Sequence, residues 1–382
     1  MNTAVGNRIR PCSWIPAFAG MTVSPTSFNR YPPLVPQPHA PLRLLLDGEA
    51  LVANWRWLRG QGAGADCGAA VKADGYGLGA REIVIRLAGA GCRDFFVTTW
   101  AEAEPLLPSL GPASVSVLHG FAGEDLHRAV GSPARPVLNT PLQVQRWKEA
   151  GRGRPCDVMI DTGINRLGLS PAEVGEGLLE GLEIETLMSH LACADEDAAM
   201  NQRQRSAFLG ISGRVPARRL SLANSAGICL GADYAFDLTR PGLALYGGVP
   251  RREAVGHIRQ VVRVEARIVQ RRRVEAGGGV GYNSTWRAEA PAEIAILNIG
   301  YADGYLRGFS GNGRARLAAG FAPVVGRVSM DLTAVLVDEA PELQEGDWVE
   351  LDYNLPEASA QSGLSQYELL TTLGGRHERL WR

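Results

Sequence analysis

Val71-Lys72-Ala73-Asp74-Gly75-Tyr76-Gly77-Leu78-Gly79 closes a short apolar run with a lysine and leaves it through a turn spaced by glycines. A strand end that passes at once into a polar, glycine-rich turn is the junction from which α/β active sites are built. A lysine there is partly desolvated, which lowers its pKa and makes its amine usable as a nucleophile or proton acceptor near neutral pH. The competing reading is a lysine that bends out to solvent with only its stem covered. Gly75, Gly77 and Gly79 do not follow the dinucleotide-binding spacing, so the glycines do not decide between the two.

The same junction recurs along the chain. Runs of β-forming residues at Gly68–Val71, Asp94–Thr98, Ser114–Leu118, Arg135–Leu138, Asp157–Ile160, Glu185–Ser189, Arg219–Leu222 and Phe236–Leu238 alternate with helix-length segments such as Ala101–Leu107, Pro141–Ala150 and Pro171–Leu179. Eight alternations imply a parallel sheet closed into a (β/α)8 barrel of the TIM type, expected over residues 42–260. The barrel reading includes a short strand at Leu42–Leu46 and a helix capped by Asp47. His119, Asn139, Asp161 through Arg166, His190, Asn224 with Ser225, and Arg240 with Gly242 each follow one of these runs, so a barrel would gather them at one mouth. Singly, each has a plain explanation: His190 as a core histidine, Asn224 or Ser225 as a helix cap, Arg166 as a solvated loop arginine. Gly242 and Asn224-Ser225-Ala226-Gly227 place backbone amides and a hydroxyl near one another after the last two strands, where barrels bind phosphate.

From Val261 the period changes to two. Val261–Val269, Ala292–Ile299, Pro323–Val328, Leu332–Val337 and Asp347–Leu351 read as strands of an antiparallel β domain over residues 261–382, with Tyr367–Leu373 closing the sheet or docking a helix. This domain carries Gly281-Tyr282-Asn283-Ser284-Thr285-Trp286, Gly300-Tyr301-Ala302-Asp303-Gly304-Tyr305 and Gly326-Arg327-Val328-Ser329-Met330-Asp331; Trp286 and Tyr305 read as turn packing. Residues 1–41, crowded with prolines, read as a disordered or non-native extension.

A net charge of −1 gives no basic footprint for nucleic acid or an anionic membrane, which leaves a small molecule as the partner. Six scattered cysteines without a C-x-x-C pair argue against a zinc site or a disulfide framework. Pro11 and Pro16 interrupt the apolar stretch after Arg8 and Arg10, so a secretion signal is not well formed, and a cytoplasmic location is expected.

In this order, the motifs resemble alanine racemase, the pyridoxal-phosphate enzyme of fold type III, from about Leu42 onward. The resemblance is carried by Val71 through Gly77, Asp161-Thr162-Gly163-Ile164-Asn165-Arg166-Leu167-Gly168, His190-Leu191-Ala192-Cys193-Ala194-Asp195, Asn224-Ser225-Ala226, Arg240-Pro241-Gly242, Gly281-Tyr282, Gly300 through Gly304 and Gly326 through Asp331. It implies a two-base interconversion of L- and D-alanine, supplying D-alanine for peptidoglycan or serving alanine catabolism. Lys72 would hold pyridoxal 5'-phosphate and serve as one base. Tyr282, from the neighbouring subunit of a homodimer, would be the other. An unassisted tyrosine titrates at about 10, so Arg166 and His190 are expected to favour its phenolate. Tyr76, Asn224, Ser225, Gly242 and Leu243 would bind the cofactor, with Arg240 at the ring nitrogen and His190 beside it. Arg166 and the Met330 amide would take the substrate carboxylate, and Tyr301 would restrict the entrance.

Three departures qualify the resemblance. Met159 stands where the family often has a carbamylated lysine, so Arg166 must be held otherwise, by Asn165 or an anion. Gly374-Gly375-Arg376 stands where a phosphate-binding tyrosine is expected just before the arginine, and residues 1–41 have no counterpart. The alternatives are a racemase of broader or larger amino acids, a fold-type III decarboxylase, which Arg240 opposes, and a non-catalytic pyridoxal-phosphate carrier, which the β domain opposes.

Overall fold

The protein is described by a computed structural model over residues 40–382, apart from residue 176. The expected extension at 1–41 therefore lies outside the described residues save for its last two. Strands β1 (Leu42–Leu46), β2 (Asp66–Cys67), β3 (Ala69–Ala70), β4 (Asp94–Val97), β5 (Ser114–Val117), β6 (Arg135–Leu138), β7 (Cys156–Met159), β8 (Ile184–Met188), β9 (Ala217–Ser221) and β10 (Leu238–Thr239) fall close to the expected runs. β3 to β9 form one parallel sheet in sequence order, and β10 pairs in parallel with β2. The circle closes through backbone bonds from Asp237 N to Leu220 O (3.0 Å), Arg240 N to Ala223 O (2.8 Å) and Ala70 N to Pro241 O (2.8 Å). A (β/α)8 barrel results, with β2 and β3 as one strand broken at Gly68. A Cβ at Gly68 would lie 2.7 Å from Asp94 O, so the neighbouring strand leaves no room for a side chain.

The second part is a β structure built on β11 (Val262–Val274), whose first half alternates buried and exposed residues as its period predicted. With β12 (Gly279–Val280), β13 (Trp286–Arg287), β14 (Ala292–Leu297), β15 (Arg314–Leu317), β16 (Gly320–Val325), β17 (Thr333–Leu336), β18 (Trp348–Leu351) and β19 (Glu378–Trp381) it completes the strand set. The large sheet runs β14-β17-β16-β15-β18-β11-β1-β19, and β11 also pairs with β14, which rolls the sheet into a second, antiparallel barrel. β11 serves both neighbours because its register shifts between Ile268 and Gln270, a bulge that bends the strand.

Three expectations are corrected here. Leu42–Leu46, read with the first barrel, pairs antiparallel with β11 and parallel with β19. Its nearly unbroken apolar run fits a strand buried on both faces, which does not say which sheet buries it. The helix expected at Ala101–Leu107 is a turn of α-helix at Trp100–Ala103 continued as 3-10 helix over Glu104–Ser109, and the one expected at Pro171–Leu179 stops at Val174. Pro105 and Pro108 remove the donors a longer α-helix needs in the first case, and Gly175 and Gly177 weaken the second. Tyr305 packs over a turn as expected, buried and stacked on Phe309 at 4.2 Å, whereas Trp286 lies in β13 and packs on the small cluster of Val280, Ile294, Val325 and Ala334. No helix among the described residues is long and apolar enough to cross a membrane.

Candidate functional site

The loops after the barrel strands enclose a cavity of about 850 Å³. Lys72, Tyr76, Arg166, His190, Asn224, Ser225, Arg240, Gly242 and Leu243 all line it. The strand-end rule thus delivers residues separated by up to 171 positions to one mouth.

Lys72 opens a turn with an unusual backbone. Ala73, Asp74 and Gly75 sit at φ/ψ of 52/48, 52/49 and 63/44, and Tyr76 at φ 57, so the chain makes one left-handed helical turn. Each non-glycine residue there costs about 1–2 kcal/mol, and such runs persist only where the surroundings over-determine them. Bonds from Gly75 N to Val71 O and Gly77 N to Ala73 O, both 2.8 Å, close the turn. Asp74 Oδ1 accepts from Ala80 N at 2.8 Å. Arg379 donates to Gly77 O through Nε (3.0 Å) and Nη2 (2.7 Å). The turn brings Lys72 and Tyr76 to the same wall. Burial, then the charge of Arg166, lowers the Lys72 pKa, while Glu102 partly opposes them. Burial pushes the Tyr76 phenol up, so it stays a neutral donor at physiological pH.

Beside Tyr76 the lining has room for a backbone but not for a side chain. A Cβ at Gly242 would meet Tyr76 Oη at 2.2 Å, and buried Ser225 accepts from Gly242 N (2.9 Å) and Ala244 N (3.2 Å). Asn224 acts as the helix cap of its plain reading, its Oδ1 accepting from Gly227 N at 2.8 Å. Beneath lies Arg240, buried, bonded through Nη1 to Ser221 Oγ and through Nη2 to Ser189 O at 2.6 Å. Burial lowers its pKa to about 10, still a full cation at neutral pH. His190 is pulled down to about 3, first by burial and then by Arg240, Arg166 and Lys72, so its imidazole is neutral. In this form it can act on a phenolate as a hydrogen-bond donor, not as a cation. Three cationic side chains around a neutral histidine, facing a phenol, a hydroxyl and a glycine that admits the backbone, suit an anionic phosphorylated ligand. The residues present therefore fit pyridoxal phosphate.

Arg166 hangs on a loop organised by Asp161, with a weak bond from Asn165 Nδ2 to Gly163 O at 3.4 Å. Asp161 Oδ1 accepts from Gly163 N (2.8 Å) and Asn165 N (3.1 Å), and Oδ2 accepts from Arg166 N (2.8 Å). Burial would raise the Asp161 pKa, but these amide bonds outweigh it and hold the carboxylate below its usual range.

Tyr282, Tyr301 and Met330 do not line this cavity. All three belong to the second barrel, and the Tyr301 and Met330 motifs meet there: Tyr301 N donates to Ser329 O and Ala302 N to Met330 O, both at 3.0 Å. Arg376 links these motifs through Asp303 (2.7 Å) and Asp331 (2.8 Å). Tyr282 is 67% exposed and Met330 53%.

One cavity residue escaped the sequence. Tyr367, in the helix Gln366–Thr371, lines the cavity with its ring centroid 6.4 Å from that of Tyr76. The Ser365 and Glu368 capping box fixes the helix start, and the Gln366 amide pairs with Val249 N (2.8 Å) and O (3.0 Å), which docks it on the barrel rim. A phenol thus reaches the site from outside Gly374-Gly375-Arg376. The Ser-x-x-Glu signature announced the helix, but nothing local announced where it docks.

Residues 46–250 match the alanine racemase N-terminal domain and residues 261–381 the alanine racemase C-terminal domain. The alanine racemase of Methylobacterium nodulans is 42% identical over 353 residues, which cover 88% of this chain and 95% of that protein. That of Cereibacter sphaeroides is 43% identical over 347 residues, covering 88% and 97%. The crystal structure of alanine racemase from Bartonella henselae with covalently bound pyridoxal phosphate superposes with a TM-score of 0.83 at 35% identity, over 89% of this chain and 99% of that one. With both halves matched in order and the fold shared along nearly the whole described length, this chain belongs to the alanine racemase family.

Proposed function

We propose that the protein interconverts L- and D-alanine with pyridoxal phosphate attached to Lys72, in a homodimer in which each subunit lends Tyr282 to the other's site. The observation that carries the reading is the desolvated Lys72 lining one cavity with Tyr76, Ser225, Gly242 and Arg240, in a chain of this family. Bound through a lysine, pyridoxal phosphate withdraws electron density from the substrate Cα and makes its proton removable. The residues divide the rest of the work. Tyr76, Ser225, Gly242, Leu243 and Tyr367 receive the phosphate end. Arg240, which keeps its protons, would offer the ring nitrogen a hydrogen bond without transferring a proton. Arg166 and the Met330 amide hold the substrate carboxylate. Lys72, its pKa lowered by burial, takes or returns the Cα proton on one face. A single base returning the proton to the same face would leave the configuration unchanged, so Tyr282 acts on the other. Tyr301, with Arg307 packed 5.1 Å from its ring centroid, narrows the entrance and favours a small side chain. A cytoplasmic location accords with the free thiols of Cys67, Cys92, Cys156, Cys193 and Cys229.

The experiment is turnover of the purified protein with pyridoxal phosphate on a panel of L- and D-amino acids. Alanine racemisation is expected, and Lys72→Ala should abolish both turnover and the yellow colour. Decarboxylation without racemisation would overturn the reading, and equal turnover of larger amino acids would replace the alanine assignment with a broader one.

A further inference from the structure

The left-handed turn that carries Lys72 and Tyr76 does not persist by its own preference. Glu102, thirty positions from Lys72, reaches into it. Its Oε1 accepts from Ala73 N at 2.9 Å, and its Oε2 accepts from Thr98 N at 2.7 Å and Thr99 N at 3.4 Å. Thr98 and Thr99 follow β4, the strand beside β3, so one carboxylate ties the amide next to Lys72 to the neighbouring strand end. The other supports of the turn, Asp74 on Ala80 and Arg379 on Gly77, act at its middle and far end.

We propose that Glu102 is a positioning residue for Lys72: its carboxylate pins the left-handed turn to the second strand of the barrel and so fixes where the lysine amine stands. The inference rests on the reading of Lys72 as the cofactor lysine. Three N–H donors converge on Glu102, and only a carboxylate offers lone pairs on both oxygens; an amide would turn its own N–H groups toward a donor. Its charge also acts on Lys72, against Arg166 and burial; His190 is the further titratable group that senses Lys72. The competing role is local: Glu102 is also the third residue of the capping box with Thr99, for the turn Trp100–Ala103.

Full-length Glu102→Gln and Thr99→Ala variants separate the two roles. Pyridoxal phosphate affinity is read by fluorescence titration, and the pH dependence of the bound cofactor's absorbance is read alongside kcat and KM. Glu102→Gln should weaken cofactor binding roughly tenfold, the effect of one lost charged hydrogen bond, move the Lys72 limb of the pH profile downward and lower kcat more than it changes KM. Thr99→Ala, which loses only the cap, should leave these values within about twofold of wild type. Wild-type affinity and pH profile in Glu102→Gln would overturn the proposal, as would Thr99→Ala reproducing its whole effect. If Glu102→Gln does not fold, Glu102→Asp serves: it keeps the charge and loses one methylene of reach, so weaker cofactor binding with an unmoved pH limb is expected, and wild-type affinity overturns the proposal. A wild-type protein that binds no pyridoxal phosphate would refute the functional reading itself, whereas variants matching a wild type that does bind it would refute the Glu102 role alone.

Discussion

At the scale of single residues, charge and burial decide what each side chain can do. His190 was legible as a site residue from its place after a strand, but its protonation was not, because the groups that depress it, Arg240, Arg166 and Lys72, come from other strand ends. A histidine held at about 3 in the folded protein and near 6.5 when unfolded takes up a proton on unfolding between about pH 3 and 6.5. Its contribution to stability is therefore whole above 6.5 and is lost as pH falls toward 3. Melting temperatures followed from pH 7 down to about 4 should drop more steeply for wild type than for His190→Gln, and parallel curves would show that His190 is not the group responsible. A second residue-scale test addresses Tyr282. Tyr282→Phe should still exchange the Cα proton of one alanine enantiomer for solvent deuterium, at the Lys72 face, while exchange of the other falls at least about a hundredfold, the usual worth of a positioned acid–base group. Equal loss for both enantiomers, read by proton NMR, would count against two bases on opposite faces.

At the scale of elements, the decisive piece is the turn from Lys72 to Tyr76. Its glycines were visible, yet the left-handed path of Ala73 and Asp74 was not, because no propensity favours it; Glu102, Asp74 and Arg379 impose it from sites near and distant in sequence. Periodicity likewise located β11 but not the bulge after Ile268 that lets it serve two neighbours, since register is settled by the partner strands. Within the turn, Gly75 is held by space as well as by φ: an added Cβ would lie 2.3 Å from Ile83 Cδ1 and 3.1 Å from the Ala80 backbone, at φ +63. Gly75→Ala should cost about 2 kcal/mol or more in denaturant unfolding, the sum of a left-handed penalty and overpacking. It should also weaken pyridoxal phosphate binding, because Tyr76 follows directly. Wild-type affinity in a destabilised variant would mean that the turn supports the fold without setting the phosphate site.

At the scale of the molecule, two groups of residues stand on two barrels: Lys72 with Tyr76, Ser225, Arg240 and Gly242 in one, Tyr282, Tyr301 and Met330 on the other. The first was legible because barrel topology turns eight separate strand ends into one mouth. The second was legible only as motifs, since one chain leaves Tyr282 and Met330 exposed and outside the cavity. Two-fold symmetry offers the economical solution, because an isologous interface that brings one protomer's Tyr282 to its partner's Lys72 completes both sites at once. Complementation tests this without a structure of the dimer. Lys72→Ala and Tyr282→Ala are each expected to be inactive as homodimers. When the two are unfolded, mixed in equal amounts and refolded with pyridoxal phosphate, random pairing makes about half of the dimers mixed. In a mixed dimer one site receives both substituted residues and the other receives both intact ones. Activity should therefore return to about a quarter of wild type, and to none if Lys72 and Tyr282 of one site came from the same chain.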